Sequence, residues 1–226
     1  MTSRRLGIVL FLLIILFGVR AYQAVADAPA APFLPRGEWE TPGGVLSLNF
    51  NLEQGKIHSV EEGVASESAY RIIRQSPYML SVVPYAHAPE RDAPEGDGAI
   101  PLTSRNSKDL TRLNDNALVY AGGCVGGFLL LRKDAGLSLS DKSHATGRWG
   151  FPDGEGGWEI VVDFDKKRET GYTSGPFEFT ERNPGEVLIT LDGKEMIARW
   201  FGSDIMGIYM PELRGNLPPF GFVRIE

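Results

Sequence analysis

The side chains that could do chemistry are few and scattered in this sequence. The three histidines, His58, His87 and His144, are far apart, and no H-x-x-x-H or H-x-H spacing occurs that would place two imidazoles on one metal ion. The run Asp153-Gly154-Glu155-Gly156-Gly157 is acidic but lacks the alternating oxygen ligands and closing glutamate of a calcium loop. No G-x-S-x-G and no phosphate-binding loop occurs either. We therefore predict no catalytic residue, no metal, no cofactor and no enzyme activity.

One cysteine and one acidic stretch remain as candidates. Cys124 is the single cysteine, so it cannot form a disulfide within the chain. It is either a small buried thiol, or a thiol that is reactive or forms a disulfide with another molecule. Residues 86–99 hold two prolines, two glycines and four acids, which predicts a long exposed loop. The acids are Glu90, Asp92, Glu95 and Asp97. A mobile loop cannot hold two carboxylates at a fixed separation, so the stretch is either a contact surface or a solvated insertion.

The N-terminus carries the most specific signal in the sequence. Arg4-Arg5 precedes an apolar run over residues 6–19, and Ala24-Val25-Ala26 offers a cleavage site. Fourteen helical residues span about 21 Å, which is short of a hydrocarbon core of about 30 Å. Residues 1–26 are therefore either a cleaved signal peptide or a signal-anchor helix that stays in the membrane. Both alternatives place the rest of the chain outside the cytoplasm, in the periplasm or cell envelope, and residues 27–36 then form a Pro/Ala spacer.

The net charge limits the partners of the exported part. The chain has a formal net charge of −6, and the part beyond residue 26 is more acidic because the first 26 residues contain three arginines and no acid. Such a surface repels phosphate backbones, so nucleic acid is not expected as a partner.

Two stretches of the chain follow the same plan. Each opens with G-x-W, at Trp39 and at Trp149, and continues through a Pro/Gly turn into alternating apolar residues. In the second stretch, the residues predicted to share one face of a strand are Trp158, Ile160, Val162 and Phe164. Leu110-x-x-Leu113-Asn-Asp also matches Leu188-x-x-Leu191-Asp-Gly, and an apolar run ending in arginine closes each stretch. We therefore predict two tandem β units, 37–133 and 147–226, joined by a linker at 134–146.

This pattern resembles the lipocalin-type barrels, in which a G-x-W opens the first strand and an arginine stands on the last. The resemblance implies that Trp39 pairs with Arg132, that Trp149 pairs with Arg224, and that each tryptophan closes one end of an antiparallel barrel. The units are about half the usual lipocalin length, so compact or partly open barrels of six to eight short strands are expected. One larger barrel built from both units is the alternative.

The predicted fold class is therefore all-β, with two tandem small antiparallel barrels behind an N-terminal signal or anchor helix. Two classes of function fit this organisation. The first is a non-catalytic envelope protein that acts through protein–protein contacts, as an accessory, assembly or toxin-neutralising factor. The second, implied by the resemblance, is a carrier of a small apolar ligand.

Overall fold

A computed structural model describes residues 31–84, 107–122, 125–211 and 220–225. The described residues form sixteen strands and no α-helix, so the all-β prediction is confirmed. Within these ranges, no helix is long and apolar enough to span a bilayer. The predicted signal or anchor segment, the acidic stretch 86–99, His87 and Cys124 lie outside the described residues.

The first eight strands form one closed antiparallel barrel in chain order, with β8 returning to β1. The strands are β1 (Gly37–Glu40), β2 (Leu46–Asn51), β3 (Lys56–Glu61), β4 (Val64–Gln75), β5 (Met79–Pro84), β6 (Lys108–Asn114), β7 (Ala117–Gly122) and β8 (Val125–Arg132). Every neighbour in the chain is also a neighbour in the sheet, which is the simplest topology that short hairpins allow.

The last eight strands repeat this up-and-down order in a second sheet. They are β9 (Arg148–Pro152), β10 (Trp158–Asp163), β11 (Arg168–Thr170), β12 (Phe177–Asn183), β13 (Glu186–Leu191), β14 (Lys194–Phe201), β15 (Ile205–Tyr209) and β16 (Phe220–Arg224). The sheet runs from β11 through β9 and β16 to β12, and its two end strands are joined by a single bridge between Arg168 and Pro176. The two sheets share no strand, which rules out the alternative of one larger barrel.

One proposed correspondence between the repeats is wrong by one strand. Leu110 and Leu113 lie in β6, the sixth strand of its barrel, whereas Leu188 and Leu191 lie in β13, the fifth strand of the second sheet. A polar pair after an apolar run marks any hairpin, so the motif identifies a turn but not its place in the order.

Each sheet encloses its own core. The first core is mainly aliphatic, and its largest buried side chains include Trp39, Phe50, Leu80, Leu110, Leu118 and Leu130. The second core is strongly aromatic, with Trp149, Trp200, Phe164, Phe177 and Phe222 in contact.

The two barrels also pack against each other through their outer faces. Leu130 points into the first barrel, so its neighbours Leu129 and Leu131 point outward. There they join Phe201 and Ile205 of the second barrel in a third buried cluster. Residues from Pro32 onward accordingly form one compact unit.

A glycine allows this close approach. A Cβ on Gly221 would lie 2.6 Å from the Cδ1 atoms of both Leu113 and Leu129. Any side chain at this position would therefore force the two leucine side chains, or the barrels themselves, to shift.

Candidate functional site

The two G-x-W motifs share one local geometry. Gly37 and Gly147 have φ angles of 82° and 70°, which glycine adopts without strain. The indole of Trp39 donates a hydrogen bond to the carbonyl of Arg36 at 3.1 Å, and that of Trp149 donates to Thr146 at 3.1 Å. Each buried indole N–H is thereby satisfied by the carbonyl three residues earlier, and each ring belongs to the core of its own sheet.

The two closing arginines make different contacts. Trp39 faces Arg132 across the β1–β8 ladder, and Trp149 faces Arg224 across the β9–β16 ladder. The guanidinium of Arg224 lies 5.0 Å from the Trp149 ring centroid, within cation–π range. Arg132 forms an ion pair with Asp134, with Nε 2.7 Å from Oδ1, and among the described residues no cation–π contact joins it to Trp39.

Trp158 does not lie where the alternation predicts. The ladder between β9 and β10 shifts register between Trp158 and Ile160, so a β-bulge puts Trp158 on the opposite face from Ile160 and Val162. Its ring lies against Gly150 on the outside of the barrel, where a Cβ would be 2.3 Å from Trp158 Cε3. The side chain remains 45% exposed. The prediction that Trp158 shares the inner face is therefore wrong.

Trp158 lines a groove at the junction of the two barrels. The groove has a volume of about 610 Å³. Its apolar lining comes from Trp158, Val223 and Ile225 on the side of the second barrel and from Leu113 of the first. Asn114 Nδ2 donates to Asp204 Oδ2 at 3.3 Å, a hydrogen bond that ties the barrels together beside the groove. The groove exists only because the two barrels pack side by side.

The lining of the groove contains charged side chains of both signs. Arg148 and Arg224 contribute two guanidinium groups, and Asp204 contributes one carboxylate. The two guanidinium groups stay protonated, and the Asp204 carboxylate accepts the hydrogen bond from Asn114. In the described part of the chain, no group of three or more histidine, cysteine or carboxylate side chains could hold a metal ion.

A second polar cluster lies inside the first barrel. Burial, together with the neighbouring Tyr70 and Glu61, raises the pKa of Tyr120 far above its ordinary value. Lys108 Nζ lies 5.8 Å from the centre of the Tyr120 ring. A phenol that stays protonated in this way can donate a hydrogen bond but cannot serve as a general base.

The remaining sequence candidates have structural surroundings. His58 is exposed with Nε2 3.1 Å from Glu67, and the ring of His144 lies 6.3 Å from that of Trp200. Backbone N–H groups, first that of Glu155, hold the pKa of Asp153 below its ordinary value in a tight turn. Glu90, Asp92, Glu95 and Asp97 lie outside the described residues.

Comparison with known protein families, with curated proteins and with solved structures finds no match for this chain. The lipocalin resemblance therefore stays a prediction, and the groove's own geometry carries the functional proposal.

Proposed function

We propose that this protein is an exported, non-catalytic protein of the cell envelope that binds another protein through the groove between its barrels. The observation that carries the proposal is Trp158, a large aromatic side chain that is 45% exposed beside two arginines. Tryptophan and arginine are the residues most often found to dominate binding energy at protein interfaces.

The position of Trp158 supports a binding role because the side chain is held before any partner arrives. Its ring is packed on Gly150, and the β-bulge fixes the direction of the side chain. A rigid aromatic loses little conformational entropy on binding, which favours affinity. Nothing in the packing of the second core requires this ring, since Trp158 lies on the outer face.

The location in the envelope rests on the N-terminal sequence. Arg4-Arg5, the apolar run at residues 6–19 and the Ala24-Val25-Ala26 site support export, with the membrane as a further contact if residues 1–26 are retained. A binding protein presented on a Pro/Ala spacer fits this arrangement.

The carrier alternative has weaker support. The interior of the second barrel is filled by aromatic rings that contact one another, with Trp149 and Trp200 6.4 Å apart and Phe164 and Phe177 5.5 Å apart. An apolar ligand would have to displace these contacts. The acidic stretch 86–99 remains a second candidate contact surface.

Site-directed photocrosslinking in living cells tests the groove. A photoreactive amino acid at Asn114, beside the groove, is expected to capture one protein, and Trp158→Ala is expected to abolish that adduct. The same probe at Tyr172, which is 65% exposed and does not line the groove, is the matched control. Deletion of residues 86–99 is expected to leave the Asn114 adduct in place.

Three results would contradict the proposal. An adduct unchanged by Trp158→Ala, or an identical adduct from Tyr172, would show that the groove is not the contact site. A lipid adduct at Asn114 would favour the carrier.

A further inference from the structure

The two barrels differ in how their third and fourth strands meet. In the first barrel, β3 and β4 are paired at six positions, from Lys56–Ala69 to Glu61–Val64. In the second sheet, the corresponding strands β11 and β12 share one bridge, at Arg168 and Pro176. Strand β12 is therefore an edge strand over most of its length.

The direction of the free backbone groups on this edge follows from one hydrogen bond. Phe177 N–H donates to the carbonyl of Lys167 at 3.0 Å, so it points away from β13. Backbone groups alternate sides along a strand, so those of Phe179 and Glu181 point the same way. Among the described residues they have no backbone partner on that side. The edge therefore presents N–H and C=O groups in the arrangement that accepts another strand.

The side chains of this edge are accessible and charged. Glu178 and Thr180 alternate with the inward Phe177 and are exposed. Arg182 lies at a register shift of the β12–β13 ladder, so its contact with Glu186, and not the alternation, places it on the same outer face, where it is also exposed. Glu178 forms no ion pair within the described part of the chain. Arg182 is 56% exposed and lies 3.9 Å from Glu186, a long contact that leaves its guanidinium within reach of another carboxylate.

We propose that a second copy of this chain pairs with the edge, β12 against β12, antiparallel about a two-fold axis at Thr180. This register places Phe179 of each copy opposite Glu181 of the other, and these are the residues whose backbone groups are free. Two such hydrogen-bonded pairs give about four backbone hydrogen bonds between the copies. The two-fold symmetry closes the contact, so it produces dimers and not fibres.

The charges of β12 fit this register. Glu178 of each copy faces Arg182 of the other on the outer face of the sheet, so opposite charges meet twice. A register shifted by two residues would set Glu178 opposite Thr180, or Thr180 opposite Arg182, and would lose both Glu178–Arg182 ion pairs. The contact is short, so the association is concentration-dependent. It uses a different surface from the groove and does not rest on the proposed function.

Disulfide trapping in the full-length chain tests the pairing. Thr180 lies on the predicted axis in a non-hydrogen-bonded antiparallel pair, where Cα atoms are about 4.5 Å apart, a distance that suits a disulfide. Thr180→Cys in a Cys124→Ala background is oxidised in freshly lysed cells. The expected product is a reducible species of twice the mass that the chain shows after reduction. Thr190→Cys is the matched control, because Thr190 is also exposed, lies on the neighbouring strand β13 and is off the axis.

Charge reversal then tests the register. Glu178→Arg places two arginines opposite each other and is expected to lower the disulfide yield several-fold, whereas the exchange Glu178→Arg with Arg182→Glu is expected to restore it. An absent Thr180→Cys dimer, or an equal yield from Thr190→Cys, overturns the proposal. A disulfide to a different protein would show that a foreign strand occupies the edge, and a yield unchanged by Glu178→Arg would overturn the register.

Discussion

Replacing Trp149 by alanine tests the closure of the second barrel. The side chain is fully buried, and such a truncation costs about 3–5 kcal/mol. The edge-to-face contact with Trp200 at 6.4 Å adds about 0.5–1.5 kcal/mol, and the Thr146 carbonyl loses its donor. We therefore expect Trp149→Ala to lower the free energy of unfolding by about 5 kcal/mol, a large share of the roughly 5–15 kcal/mol of a typical domain.

The assay is urea unfolding of the full-length protein followed by circular dichroism, with Trp158→Ala as the matched control. Trp158 is the same residue type but is 45% exposed, so its removal is expected to cost only about 1–2 kcal/mol. Arg224→Ala, which removes a cation–π contact at 5.0 Å, is expected to cost about 1 kcal/mol and to be non-additive with Trp149→Ala. Equal losses from the two tryptophan variants would refute the reasoning.

Three further results are expected. Gly221→Ala places a methyl group 2.6 Å from Leu113 and Leu129, and this overpacking should cost about 1–3 kcal/mol. Calorimetry should therefore show a lower melting temperature than that of the wild type. An unchanged melting temperature would argue against tight packing between the barrels. Burial acts to raise the pKa of Glu169, but hydrogen bonds from the 172–174 loop outweigh it, and the pKa is lowered. A carboxyl group whose pKa is lower in the folded than in the unfolded state contributes stability above its unfolded-state pKa, and this stability is lost as the pH falls through its folded-state pKa. The wild-type protein should therefore lose stability below about pH 4.5, and Glu169→Gln should lose less. Urea unfolding midpoints measured at each pH will show the difference. A reporter that fluoresces only in the cytoplasm, fused after Glu226, should stay dark, and a bright fusion would contradict export.

The repeated architecture could be predicted because its markers are local. Each G-x-W uses a glycine with positive φ and a tryptophan whose indole N–H bonds to the carbonyl three residues earlier. The glycine and the tryptophan that meet these requirements are visible in the sequence at both Trp39 and Trp149. The alternation of apolar residues in β2 and β13 then indicates strands with one buried face.

The groove could not be predicted for two physical reasons. A β-bulge changes which face a residue occupies without changing the residue types, so the alternation misplaced Trp158. The groove also depends on contacts between barrels that no spacing encodes. One signal was available: the unbroken apolar run at 128–131 indicates a strand buried on both faces, as β8 is.

The packing of Leu129 and Leu131 on Phe201 and Ile205 has a consequence for biosynthesis. About 70 residues separate Leu131 from Phe201, so in a chain that emerges from its N-terminus the whole first barrel emerges before the residues that cover these leucines. During that interval a newly folded first barrel exposes two leucines that the finished protein buries. Neighbouring chains at this stage are able to associate through the exposed patch, so aggregation is favoured until the second barrel has folded.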